Sequence, residues 1–139
     1  MPILLDSNFI FALIAKKDKY HKDAKRIFDS DILDLNRPIY TSNLIISETY
    51  TLAMIRTKRD KILLEQLYSI IDGKKKFFEI IYCTQADFQE IYKLFMKFSS
   101  KTKLLSFIDA SLIFLKDKLN CNLIVSFDNH FDGIFERIC

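Results

Sequence analysis

Ile3-Leu4-Leu5-Asp6-Ser7-Asn8-Phe9-Ile10-Phe11-Ala12-Leu13-Ile14 is the stretch that decides the fold class. Three consecutive apolar residues read as a short buried strand. Asp6, Ser7 and Asn8 follow, three side chains that cap helix N-termini well. The apolar run from Phe9 to Ala15 then opens a buried helix. It is too short to cross a membrane, and with Asp6 and no basic residue ahead of it, it is no signal-peptide core.

The rest of the chain repeats the alternation. Pro38-Ile39-Tyr40-Thr41 is a second strand, and Ser42 or Asn43 caps a helix running through Glu48 to about Thr57. Phe78 to Tyr82 is a third strand. Thr84 with Asp87 forms a capping box, followed by an expected buried stripe of Phe88, Ile91, Tyr92, Phe95 and Phe98 at helical spacing. Ser106 begins a helix with Ala110, Ile113, Phe114 and Leu119 on its apolar side. Leu123 to Phe127 is a fourth strand, and Phe131 to Cys139 is expected to add a turn and a fifth edge strand. Shorter pieces lie between. A helix begins near His21, residues 29–37 connect, and Arg56, Lys58, Arg59, Asp60 and Lys61 form a charged hinge. A further helix carries Ile62, Leu63, Leu67, Ile70 and Ile71 and stops at Gly73. Strands alternating with helices imply an α/β fold: a central parallel sheet of about five short strands flanked by helices in three layers, as one domain over 1–139.

Composition agrees and excludes several classes. The 139 residues are 50% hydrophobic, with thirteen Phe and six Tyr to fill a core, and only two Gly and two Pro. Low-complexity linkers and internal repeats are absent from the sequence. The net charge of +3 permits a nucleic-acid partner without arguing for one. Cys83, Cys121 and Cys139 are an odd number without CxxC spacing, so neither a disulfide framework nor a zinc site is expected, and a reducing cytoplasm fits.

Asp6, Glu48, Asp109 and Asp128 carry the chemistry. Each has an ordinary structural account: Asp6 as an N-cap, Asp109 as the partner of Ser106 in a capping box, Asp128 as a turn residue, Glu48 as a carboxylate favoured near a helix start. Together they say more. Right-handed crossovers bring strand exits and helix starts to one edge of the sheet, where ligands bind. Four carboxylates gathered there repel one another and raise one another's pKa unless a cation joins them. With oxygen ligands only, the expected ion is hard: Mg²⁺ or Mn²⁺.

The segments Leu5-Asp6-Ser7-Asn8, Ser47-Glu48, Leu105-Ser106-Phe107-Ile108-Asp109-Ala110 and Val125-Ser126-Phe127-Asp128-Asn129-His130-Phe131-Asp132 resemble the four acidic motifs of the PIN-domain nucleases, in order and spread over essentially the whole chain. The single-domain size is similar to the VapC toxins of prokaryotic toxin–antitoxin pairs. The resemblance implies a metal-dependent ribonuclease with an RNA substrate, a cognate antitoxin and a homodimeric state. Asp6 and Asp109 would hold the principal ion and Asp128 complete the site or hold a second one. Glu48 would act through water, and Asp132 would be an auxiliary ligand or a surface residue. Ser7, Asn8 and Ser106 would support the ligands or substrate, and Arg56, Lys58 and Arg59 would track the RNA backbone. Ile108 departs from the family, where Ser or Thr is common; Ser106 or Ser111 would have to replace that hydroxyl. His21 and His130 match no nucleophile motif and are read as a helix-start residue and a packing or phosphate contact. Two rival readings remain, a PIN-fold nuclease of RNA maturation or turnover and a noncatalytic RNA- or protein-binding module.

Overall fold

Ile3, Leu4 and Leu5 are wholly buried and form β1 (Ile3–Leu5), the middle strand of a five-stranded sheet in the computed structural model. The structure describes residues 2–32 and 36–139. β1 pairs in parallel with β2 (Ile39–Ser42) on one side and β4 (Leu123–Val125) on the other. β3 (Glu79–Ile81) extends the sheet beyond β2, and β5 (Glu136–Ile138) beyond β4, again in parallel. The order is β3-β2-β1-β4-β5. A strand flanked on both sides and covered on both faces must be apolar at every position, which β1 is. The edge strands β3 and β5 are less covered and carry Glu79, Glu136 and Arg137.

The chain first moves outward from β1 to β2 and β3, then returns to the other side of β1 for β4 and β5. The order therefore reverses between β1 and β4, and the crevice at their carboxyl ends is where such a sheet receives ligands. The backbone closes this junction: the Asp6 N–H donates to the Val125 carbonyl at 3.1 Å. Phe9 and Phe131 are fully buried just beyond the two exits. Each contributes about 1.5–3 kcal/mol by burial, holding the acid-bearing turns in place.

Six α-helices surround this sheet among the described residues, some packed on it and some on other helices: α1 (Ser7–Ile14), α2 (His21–Ile27), α3 (Asn43–Thr57), α4 (Lys61–Ile71), α5 (Gln85–Phe98) and α6 (Phe107–Leu119). α1 lies against α2, α3 and α4, and α6 against α3 and α5. Ser42 is the N-cap of α3, its Oγ accepting the Ile45 N–H at 3.0 Å. The expected hinge is a tight corner. Lys58 and Arg59 take left-handed backbone angles, φ 52° and 63°, and the Asp60 carboxylate caps α4 through the Leu63 N–H.

One expectation is refined and one needs correction. The segment 29–37 is expected to be a connection with at most a broken turn, and α2 continues into one π-helical turn at Phe28–Ile32. Phe28 packs edge-on against Phe77 at 4.9 Å and Ile32 is buried, which gives the turn an apolar anchor. Residues 33–35 of that segment lie outside the described residues. The expected buried stripe of α5 is only partly buried. Ile91 is enclosed and Phe95 rests on Phe107, while Phe88, Tyr92 and the unforeseen Met96 are exposed. α5 has α6 on one side, and among the described residues its outer face carries exposed side chains.

Candidate active site at the carboxyl edge of the sheet

Asp6 leaves β1 as the N-cap of α1 and is almost fully buried. Its Oδ1 accepts the Ser7 N–H at 2.8 Å and its Oδ2 accepts the Ser126 hydroxyl at 2.6 Å. Ser126, itself buried, stands just after β4 and joins the two strand exits. Its Oγ also accepts the Asp128 N–H at 3.0 Å and the Asn8 side-chain N–H at 3.3 Å. Asn8 returns the contact, its Oδ1 accepting the Phe127 N–H. One buried hydroxyl thus fixes the first acid, the turn bearing the fourth, and the residue expected to support both.

Glu48 sits in the second turn of α3, half-buried, its Oε2 accepting the Ser7 hydroxyl at 2.6 Å. Asp109 is the third residue of α6 and closes a capping box: Ser106 Oγ accepts the Asp109 N–H at 3.0 Å, and Asp109 Oδ2 accepts the Ser106 N–H at 3.2 Å. Ser106 therefore supplies the hydroxyl that Ile108 lacks. Ser111 does not, because its Oγ is committed to Ser42 and the Ile108 carbonyl. Asp128 precedes a 3₁₀ turn (Asn129–Phe131) but caps nothing with its side chain.

His130 links the last two acids. Its Nε2 is 3.0 Å from Asp109 Oδ2 and its Nδ1 is 3.0 Å from Asp128 Oδ1. Protonated, the ring offers a donor to each; neutral, it offers one. The Nε2 contact is close but poorly aligned, leaving that buried nitrogen without a proper hydrogen bond.

Electrostatics shows what gathering the acids does. The Asp6 carboxyl is pushed up to about 7, first by burial and then by Asp109 and Glu48, against the pull of Ser126 and Ser7. Burial also raises Glu48, with Asp109 and Asp128 adding to it. Asp109 is raised by burial, and Asp128 adds to that despite the lowering by His130 and Ser106. A capping box is worth about 1 kcal/mol, and here it is outweighed by the desolvation of the carboxylate it positions. Capping alone would leave these acids comfortable, and it does not.

The donor set suits a hard cation. Asp109 Oδ1, Asp128 Oδ2 and Glu48 Oε1 accept no hydrogen bond among the described residues. As they stand, no three His, Cys, Asp or Glu side chains of the described residues converge closely enough to clasp an ion. His130 occupies the space between two of them.

The other expected residues divide. Arg56 reaches a cleft shared with Asn8 and Asp128, its guanidinium 3.8 Å from Asp18. Lys58 and Arg59 form the α3–α4 corner and do not line that cleft. Asp132 is taken up by Arg137, which donates to both its oxygens, at 2.7 and 3.2 Å, and holds its carboxyl below the usual range. The helical turn that would set it beside Asp128 is not formed. His21 starts α2, its Nδ1 2.7 Å from the Ala12 carbonyl and remote from the acids. Sequence reasoning missed Ser126 and undervalued His130. Both lie inside the Val125–Asp132 motif, and the available signal was a hydroxyl and an imidazole each two residues from Asp128.

The PIN-domain profile matches residues 3–135. The chain belongs to the PIN-domain family. No curated protein matches it in sequence. This PIN domain is similar in structure to VapC20 of Mycobacterium tuberculosis, described as a sarcin–ricin loop cleaving toxin, with TM-score 0.79, 21% identity, and 95% and 94% of the two chains covered. VapBC2 of Rickettsia felis, bound to a DNA fragment from their promoter, gives TM-score 0.64 at 17% identity over all of both chains. FitAcB of Neisseria gonorrhoeae gives TM-score 0.65 at 14% identity, covering 99% of this chain and 96% of that one. At such identities the likeness establishes the PIN fold.

Proposed function

We propose that this PIN domain is a metal-dependent endoribonuclease and the toxin of a type II toxin–antitoxin pair. One observation supports the reading most: Asp6, Glu48, Asp109 and Asp128 stand near enough to one another at the switch point of the sheet to interact, though no three yet clasp an ion, and burial with mutual repulsion raises the pKa of the first three. Asp6 and Asp109 would hold the principal Mg²⁺ or Mn²⁺, Asp128 would complete the site, and Glu48 would act through water. A cation held by these residues would neutralise charge at the phosphoryl group and lower the pKa of a bound water, so that it loses a proton and becomes a nucleophile near neutral pH.

The chain's own residues do the positioning. Ser126 and the Ser7 N–H hold both oxygens of Asp6. Ser106 fixes Asp109 from the helix start, leaving Oδ1 free. Ser7 anchors one oxygen of Glu48, so the other can accept a hydrogen bond from the attacking water. His130 offsets part of the repulsion between Asp109 and Asp128.

The structural neighbour described as a toxin that cleaves the sarcin–ricin loop supports an RNA substrate. An antitoxin partner and a cytoplasmic location belong to the same reading, the latter supported by the free thiols of Cys83, Cys121 and Cys139. For the homodimer, the exposed Phe88, Tyr92 and Met96 on α5 supply an apolar face suited to a second copy.

The deciding experiment compares wild type, Asp6→Asn and Asp109→Asn on structured and unstructured RNAs, with and without Mg²⁺ or Mn²⁺. Cleavage by wild type alone, and only with the metal, is expected. Equal cleavage by all three proteins would sink the assignment.

A further inference from the structure

A cleft of about 210 Å³ opens between the loop after α1 and the exit of β4. Asp128 and Asn8 line it, so it opens directly onto the acidic edge. Its other walls are of a different kind. Tyr20 and Phe127 contribute two rings stacked face to face, with centroids 4.4 Å apart and planes at 4°. Lys19 and Arg56 contribute two exposed cations.

The arrangement around Tyr20 is ordered. Phe127 stacks on one face of its ring, and the Lys19 ammonium stands over the ring 4.9 Å from the centroid. Asp18, also in the cleft, holds both neighbours. Its Oδ2 accepts the Tyr20 N–H at 3.0 Å and its Oδ1 is 3.8 Å from the Arg56 guanidinium. Asp18 and the Phe11 ring hold Arg56, and the Tyr20 ring holds Lys19, so local contacts keep two exposed cations beside an aromatic stack in the same small cleft next to the acids.

We infer that this cleft seats the unpaired ribonucleotide adjoining the cleaved bond, with Tyr20 stacking on its base and Lys19 and Arg56 meeting its phosphates. Stacking of a base on an aromatic ring is stronger than the hold of an exposed ammonium on that ring, so a base displaces Lys19 and frees it for the backbone. A duplex cannot enter, because its bases have no free face. The inference rests on the nuclease reading and adds to it the residues that would take the base and the backbone beside the cleaved bond: Tyr20, Lys19 and Arg56.

Fluorescence anisotropy in chelator tests the cleft without cleavage. The probes are a short labelled single-stranded RNA, a duplex of equal length, and single strands with one abasic position walked along them. Wild type should bind the single strand more tightly than the duplex. Tyr20→Ala should weaken binding about tenfold, and Tyr20→Phe should retain it. Lys19→Gln, a surface change with no folding burden, should weaken binding and flatten its salt dependence. One abasic position should weaken wild type about tenfold and add nothing to Tyr20→Ala.

Wild-type affinity in both Tyr20→Ala and Lys19→Gln overturns the cleft, as does an abasic penalty that persists undiminished in Tyr20→Ala. So does a wild type that binds no RNA. A parallel cleavage assay with Mg²⁺ separates the two claims. If wild type cleaves while both cleft variants bind normally, only the cleft fails. If wild type shows the Tyr20 pattern in binding but never cleaves, the nuclease reading fails by itself.

Discussion

Asp6 is held near neutrality by its surroundings, and this fixes how the metal-free protein responds to pH. Its folded pKa of about 7 lies above the ordinary 3.8. Between those values the folded chain keeps a proton that the unfolded chain has released, so stability should fall as pH rises from about 4 to about 7 and then level off. Moving from 3.8 to about 7 corresponds to a loss of about 4 kcal/mol. Thermal melts in chelator across that window should show the decline, and added Mg²⁺ should restore stability above pH 7. Asp6→Asn should melt higher than wild type in chelator at pH 8, by on the order of 2 kcal/mol, and gain nothing from Mg²⁺. Ser126 works in the opposite direction, since its hydroxyl lowers the Asp6 pKa. Ser126→Ala should cost about 1–3 kcal/mol by denaturant titration and move the acid limb of the cleavage profile to higher pH. An unmoved limb would mean that Asp6 need not ionise for the reaction.

At the scale of elements, the corners are as constrained as the strands. Gly73, after α4, lies so close to the preceding turn that an added Cβ would stand 2.8 Å from Ser69 Cα and 2.9 Å from its carbonyl oxygen. Gly73→Ala should therefore destabilise by about 1–3 kcal/mol in denaturant melts, where a typical Gly→Ala change is stabilising. On α5, replacing Tyr92 and Met96 together with Lys should leave the fold intact. If α5 is the dimer face, the pair should convert a dimer to a monomer in sedimentation. These cases mark what sequence can report. Strand exits, N-caps and the Thr84 and Ser106 capping boxes are local, and residues 84–87 and 106–109 spell them out directly. Whether Phe88 or Tyr92 is covered depends on what lies beyond α5, which spacing does not encode. The bridge from Ser126 to Asp6 joins residues 120 positions apart, and His130 reaches across from the β4 exit to α6. Such pairs exist only once the sheet has closed.

For the whole molecule, the sheet order grades stability from the centre outward. β1 is wholly buried between two partners, whereas β3 and β5 form the edges. Hydrogen exchange should be slowest at Leu4 and Leu5 and faster along β3 and β5. β5 still matters to the site. The Ser126 N–H donates to the Ile138 carbonyl, and Arg137 donates to the Ser126 carbonyl at 3.2 Å. Arg137→Ala should thus weaken both stability and Mg²⁺ affinity, because it removes the brace on the Ser126 carbonyl and a positive charge that acts on Asp128 as well as Asp132. The same long-range closure has a consequence during synthesis. Asp6 leaves the ribosome early, but the strand and hydroxyl that set its position are made 120 residues later. At ordinary translation rates that interval is roughly 6–24 s. Throughout it the nascent chain has its first acid and no site. For the ribonuclease proposed above, this order of assembly means that the chain is inert while it is being made, and that a fragment released by a ribosome stalled before residue 126 has no site.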